Sequence, residues 1–404
     1  MIQPLYIRNA SVWNGDGFDQ RDLYTTDVVV EQRPTNAVTV DLNGYTIFPG
    51  LINAHDHLEL NHYPRTKYRE RYDNASEWSR DMNAHLNFSP FKELRAYPLE
   101  DRCFIGGLKN LLCGATTVVQ HNPPHKTLFR KDFPVRVLKK YGWTHSLYLS
   151  SDEEIVTSYK RTPPDTPWFI HLAEGTDETA RGEYQRLKAL GCIGSNTVLI
   201  HGVGLTDEDI ADAAQRVRGL VWCPTTNLYL LGKTANVFAW IGAGGKIALG
   251  SDSRLTADGD LAQEEQYVAG TSLIFGSNEQ LAEQFVNLFK SQFSHPQAIL
   301  GIQPISSLSP GSYADYIVVK QGNLHRQLAL VVRGGEPQIG DPDVMAKFPH
   351  LETVRARLDD KEKRINVKLA RQIARCTLKE PGLELLEAPS ESSLSRLWNG
   401  VWKL

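Results

Sequence analysis

Short apolar runs, each closed by polar or glycine residues and each followed by a stretch of helical periodicity, fill the chain from about residue 50 to 300. Seven stand out: GLINAH, TTVVQH, WTHSLYL, PWFIHLA, TVLIHG, GLVWCP and KIALGSD. Runs that are apolar on both faces and separated by helices predict parallel strands buried by helices, and the length fits a closed β/α barrel in the α/β class. An ideal barrel of this kind has eight strands. The stretch between WTHSLYL and PWFIHLA is only about 18 residues, too short for another strand and helix, which need roughly 30. The pattern therefore predicts either one very short strand or a barrel one strand-helix unit short.

The flanks read differently. Residues 1–49 form short strand-like runs (LYIRNASVW, TTDVVVE, VTVDLNGYTIFP) with too few apolar positions for a core of their own. Strand patterning returns in SYADYIVVKQ and LALVVRGG, so 303–340 is expected to complete a small β domain with 1–49, around a barrel at 50–302. Residues 341–404 read as a charged, helical C-terminal extension, either a solvated face or a subunit contact in a homo-oligomer. The segment 58–97, rich in Tyr and Arg, is long enough to be a lid, or else a surface excursion with short helices.

Composition narrows the function. The chain has 404 residues, of which 41% are hydrophobic and 23% charged, and no apolar run approaches the roughly 20 residues of a membrane span. Neither a signal nor a transit peptide is visible at the N-terminus. The five cysteines are odd in number and scattered, which fits a reducing compartment and predicts a cytoplasmic protein. A net charge of -3 leaves no basic footprint for nucleic acid, so the expected partner is a small molecule.

The candidate chemistry lies at the strand ends. His55 and His57 close the first barrel run, and strand alternation turns both to one side and Asp56 to the other, so the two imidazoles can share a metal ion. His171 ends PWFIH, His201 ends TVLIH and Asp252 follows KIALGS. In a β/α barrel such ends gather around one mouth, where active sites lie. Glu174 follows His171 by three residues, and Gly175 signals a turn able to swing its carboxylate back, where it would carry protons; the plainer reading is an acid at a helix N-terminus. Gln120 and His121 end TTVVQH, and no lysine ends a strand where it could bridge two ions, which favours one metal over two.

PGLINAHDHLE, GATTVV, HLAE, the HG at His201, CPTTN and GSD together resemble the amidohydrolase superfamily, in the branch that holds cytosine deaminase, the triazine hydrolases and guanine deaminase. LSPGSYADYIVV at 308–319 is similar to that family's closing segment, and the N-terminal strands to its small β-sandwich, so the resemblance spans about residues 5–335. It implies that His55, His57, His171 and Asp252 ligate one divalent metal, zinc or iron. It also implies that Glu174 shuttles protons and that His201 orients or polarises the substrate. The reaction so implied is attack of hydroxide generated at the metal on an sp² carbon of a small, cyclic substrate, with cleavage of a C–N bond and deamination foremost. A cyclic amide or a non-amine leaving group is the alternative. A non-catalytic scaffold is a third reading, disfavoured because such relatives lose ligands and here the set is complete. Two departures stand out: the region between GATTVV and HLAE is short, and Arg254 follows Asp252, there to bind a substrate carboxylate or to pair with Asp258 or Asp260. Gln120 and Arg254 are the candidate substrate contacts.

Overall fold

The computed structural model describes residues 2–15, 17–274, 295–302, 308–321 and 328–390. The start of the expected closing segment, 303–307, and the last part of the C-terminal extension, 391–404, lie outside the described residues. Every one of the seven apolar runs contains a strand. The set is β1 (Leu51–Asp56), β2 (Ala115–Gln120), β3 (Arg136–Val137), β4 (Gly142–Ser146), β5 (Trp168–Leu172), β6 (Thr197–His201), β7 (Gly219–Trp222) and β8 (Ile247–Leu249). Strands β1–β2–β3 pair in parallel, and so do β4 through β8 in sequential order.

The eighth strand, β3, escapes the periodicity because only two of its residues pair with β2, directly after Pro134. It passes to β4 with no helix between them, which accounts for the shortness of this part of the chain. The missing helix therefore lies between β2 and β4, not between β4 and β5. Elsewhere each strand is followed by helix, and several helices start on a polar cap, such as the capping boxes of Ser151 with Glu154 and Thr206 with Asp209.

Both chain ends contribute to a second β layer. A nine-stranded sheet contains Ser11–Trp13 and Tyr45–Pro49 from the N-terminal part and Tyr316–Lys320, Leu328–Arg333 and Glu336–Gly340 from the C-terminal part. A four-stranded sheet is built from Leu5–Arg8, Leu23–Thr25, Val29–Val30 and Val38–Asp41. One apolar cluster, including Leu5, Ile7, Ile47, Tyr316, Val318 and Leu330, is shared by the two sheets, so neither end needs a core of its own.

The C-terminal extension departs from the helix expected for it. Residues Thr353–Leu358 and Lys361–Asn366 form an antiparallel hairpin that, with the outermost strand Leu383–Leu385, extends the nine-stranded sheet, and among the described residues of this extension helix is limited to Pro342–Met345 before the hairpin and Val367–Arg375 after it. The reason is local. Val354, Ala356 and Ile365 alternate with charged residues at period two, and Asp359 and Asp360 adopt φ of 47° and 65°, the paired left-handed turn that suits a two-residue hairpin loop. No helix among the described residues is long and apolar enough to cross a membrane.

What joins the last strand to the first is polar. The Lys109 ammonium, on the helix Leu99–Leu112, is 3.0 Å from the Asp56 carboxylate, and both side chains are fully buried. Asp56 also accepts from Asn110 (2.7 Å), Asn61 (2.8 Å) and Asn53 (3.3 Å). Lys109 donates further to Ser251 Oγ (3.1 Å) and to the Asp252 carbonyl (3.4 Å), while Asn53 accepts from the Ser251 N–H (3.0 Å). The Asp252 N–H donates to the His55 carbonyl at 3.0 Å, so the chain beyond β8 is bonded to β1 directly.

Removing one member of a buried ion pair leaves the other charge uncompensated. Lys109→Met is therefore expected to lose about 3–5 kcal/mol of unfolding free energy in denaturant titration, and adding Asp56→Asn should recover part of it; a Lys109→Met protein as stable as wild type would contradict this account. In the hairpin, Asp360→Gly relieves a left-handed residue, and a net gain of about 0.5 kcal/mol is expected in the same titration.

A histidine-rich candidate metal centre

Three of the strand ends expected to converge do so by leaving regular geometry. Ala173, His201 and Asp252 have φ of 54°, 73° and 49°, left-handed values that cost non-glycine residues of order 1–3 kcal/mol each. Each is held by a polar group. Glu183, from the helix Glu178–Ala189, accepts the Ala173 N–H at 2.6 Å; Asn227 accepts from His201 Nδ1 at 2.8 Å; and Lys109 reaches the Asp252 carbonyl. The turn that redirects Glu174 is thus made at Ala173. Gly175 has a different use, since a Cβ there would lie 2.8 Å from Asn74 Cβ and from the Asp73 carbonyl.

That close approach belongs to the segment 58–97. It carries helices Ala75–His85 and Phe91–Arg95, and it is bonded through its backbone to the ends of three strands. Ala75 N–H donates to the Glu174 carbonyl (2.9 Å) and Thr176 N–H to Asp73 (2.7 Å), while Tyr72 and Thr66 donate to Leu230 and Leu255 (both 2.9 Å). The segment is therefore bonded to the chain that follows β5, β7 and β8, and it holds the residue that carries the Glu174 carboxylate.

His55, His57, His171 and Asp252 come together. The ring centres of His55 lie 4.9 Å from both His57 and His171, and Asp252 Oδ1 is 3.7 Å from His55 Nε2 and 3.5 Å from His57 Nε2. All four are buried. Burial and the neighbouring imidazoles push His55 and His171 well below the usual histidine range, so both are neutral. His171 donates Nδ1–H to the His145 carbonyl at 2.8 Å, which leaves the lone pair of Nε2 facing His55 Nε2 at 3.2 Å. Neutral imidazole lone pairs aimed at one another beside a carboxylate suit a cation in their midst, and the donor types are those of a divalent metal.

Glu174 and His201 flank this group. His201 Nε2 is 3.5 Å from Glu174 Oε1. With its Nδ1–H given to Asn227, His201 turns a lone pair toward that carboxyl. Burial, then repulsion from Asp252 and Glu183, pushes the Glu174 pKa well up, while burial pushes His201 down. A divalent ion on Asp252 would remove the first of those repulsions.

The two expected substrate contacts are engaged elsewhere. Gln120 accepts from the Leu58 N–H (2.9 Å) and donates to Glu59 (2.7 Å). Arg254 pairs with neither Asp258 nor Asp260; its guanidinium makes a two-pronged bridge to Glu380 (2.5 and 2.9 Å), far along the chain. Asp258 pairs with Arg65 instead. Among the strand-end neighbours, His121 and not Gln120 faces the imidazole cluster, 4.3 Å from His171 and 5.1 Å from His55 between ring centres. His145 joins it at 4.7 Å from His171. Lys109 and Glu183 carried no signal in the sequence, while Asn227 ends the CPTTN motif and His145 lies in the run WTHSLYL without either having been singled out.

No family model matches the chain. Among curated proteins it is 31% identical over 294 residues to the 5'-deoxyadenosine deaminase of Methanothrix thermoacetophila, an alignment covering 61% of this chain and 69% of that one. It is 22% identical over 380 residues to the 5-methylthioadenosine/S-adenosylhomocysteine deaminase of Thermococcus sibiricus, covering 80% and 86%. Among solved structures it shares its fold with a zinc-bound adenosine deaminase from Xanthomonas campestris (TM-score 0.62, 17% identity, 86% of this chain and 96% of that one). A zinc complex of atrazine chlorohydrolase from Arthrobacter aurescens TC1 is similar as well (TM-score 0.65, 15% identity, 86% and 99%). By these relatives and this fold, the chain belongs to the amidohydrolase superfamily, in its deaminase branch, and is a metal-dependent hydrolytic deaminase.

Proposed function

We propose that the chain removes the ring amino group from an adenosine-type nucleoside altered at its 5′ position, using one zinc ion held by His55, His57, His171 and Asp252. The observation that carries this is the buried group of neutral imidazoles and one carboxylate with the Glu174–His201 pair beside it. The named activities of the sequence relatives support the nucleoside. They also favour ammonia over a non-amine leaving group. When bound, the ion supplies Lewis acidity, which makes water a competent nucleophile near neutral pH.

The protein's own groups then divide the proton work. Asp252 accepts a hydrogen bond from the attacking water and orients it toward the sp² carbon that bears the amine. Glu174 takes up the first proton of the attacking water and passes it to the ring nitrogen, and the second proton, left on the added oxygen, goes by the same carboxyl to the amine as it departs as ammonia. His201, its tautomer fixed by Asn227, turns the Nε2 lone pair toward Glu174 and so can accept from that carboxyl once it has taken up the proton. This differs from direct polarisation of the substrate by His201. Glu183 maintains the turn on which Glu174 stands.

The same reading includes a closed eight-stranded barrel and a β-sandwich formed by both chain ends. The bond from Asp252 to the His55 carbonyl supports closure on one side, and His121 Nε2, 3.2 Å from the Thr144 carbonyl, supports it between the two sheets. The shared apolar core supports the sandwich.

Purified enzyme loaded with one equivalent of zinc should release ammonia from 5'-deoxyadenosine or 5-methylthioadenosine. Glu174→Gln should slow that release by roughly 10²–10⁴-fold with the metal content unchanged; full activity in this variant would remove Glu174 from the proton path. Stability provides a second check. Burial raises the Glu183 pKa from 4.5 to about 7. Between those values the folded chain keeps a proton that the unfolded chain has lost, so this group's contribution falls as pH rises through the window. Wild type should therefore lose stability relative to Glu183→Gln between pH 5 and 8, and a pH-independent difference between the two proteins would exclude this role.

A further inference from the structure

We propose that His121 is a fifth protein ligand of the metal centre, so that four imidazoles and one carboxylate hold the ion. The inference rests on the reading that His55, His57, His171 and Asp252 bind it. His121 is fully buried among the imidazoles of the cluster. Its Nε2–H is spent on the Thr144 carbonyl at 3.2 Å, and in that tautomer the lone pair sits on Nδ1. That Nδ1 has no hydrogen-bond partner among the described residues. A buried lone pair without a donor is costly unless something positive faces it.

The spacing says what faces it. His55, His121 and His171 offer ligand atoms that all lie within 4.8 Å of one another, as do His55, His57 and Asp252, so the two groups share His55. Imidazoles bound to one ion place their ring centres about 3 Å from it, which sets an upper limit of about 6 Å between two such rings. His121 lies 5.1 Å from His55, 4.3 Å from His171 and 6.0 Å from His57. It thus meets the limit with all three, and the separation from His57 is that of two ligands on opposite sides of an ion. A role in packing alone, against Trp143 at 5.3 Å, would explain the burial and leave the unpartnered Nδ1 unexplained. The Nε2 bond to Thr144 is the kind of outer hydrogen bond that fixes the tautomer of a ligating histidine.

The test is made on the full chain loaded with zinc. X-ray absorption at the zinc edge should count four imidazoles in wild type and three in His121→Ala. Competition against a chelator should show zinc held roughly 10–100-fold more weakly by His121→Ala and by His121→Asn. Three imidazoles in wild type, or an unchanged zinc affinity in a folded His121 variant, would overturn the proposal. Should neither variant fold, the wild-type count decides. His55→Ala and Asp252→Ala separate this from the underlying reading. If both still bind one equivalent of zinc as tightly as wild type, the four-ligand centre itself is wrong, whatever His121 does.

Discussion

Everything at the mouth of this molecule depends on a lysine and an aspartate that never meet solvent. Asp56 lies between His55 and His57 and points away from them, and its pairing with Lys109 ties the first strand to the helix behind it and to the turn after the last strand. Alternation along β1 makes this arrangement work. One face of the strand end presents imidazoles to the mouth, and the other presents a carboxylate to the buried ammonium. The desolvation of that pair is offset only because Asn53, Asn61, Asn110 and Ser251 complete its hydrogen bonds, so the network is worth most when whole.

A second regularity follows from the first. Strands aim side chains up and down, whereas the site requires them to converge, and the chain meets that requirement with left-handed residues that ordinary side chains avoid. Ala173, His201 and Asp252 would relax if left alone, and each is held by a buried or half-buried polar group from elsewhere in the chain. Backbone strain and polar clamps thus appear as matched pairs around the cluster. A substitution that removes a clamp acts on geometry before it acts on chemistry.

How much of this the sequence disclosed depends on the range over which each feature is encoded. The seven longer strands and the strand-end histidines are local patterns, and all were legible. β3 was not, because two paired residues after a proline have no period to detect. The hairpin at 353–366 was mistaken for helix because its charged faces alternate among lysines and arginines that suit either structure, and the decisive Asp359–Asp360 turn is a conformation and not a composition. Lys109 sits in a helix as one cation among many, and only the three-dimensional arrangement shows its partner. Gln120 and His121 were equally eligible by position; the choice between them depends on which way the strand end turns, and a pattern of residue types does not record that.

The bridge from Arg254 to Glu380 bears on how the site comes into being in time. A polypeptide made from its N-terminus onward presents His55 and His57 early, His171 later and Asp252 later still. Two residues beyond Asp252, Arg254 finds its counter-charge only when residue 380 has been synthesised. Thr377 at the same stretch is tied to Asp101, on the helix that carries Lys109, by its N–H at 3.1 Å. The chain next to Asp252 therefore gains this ionic tie only late in translation, from a segment more than a hundred residues further on.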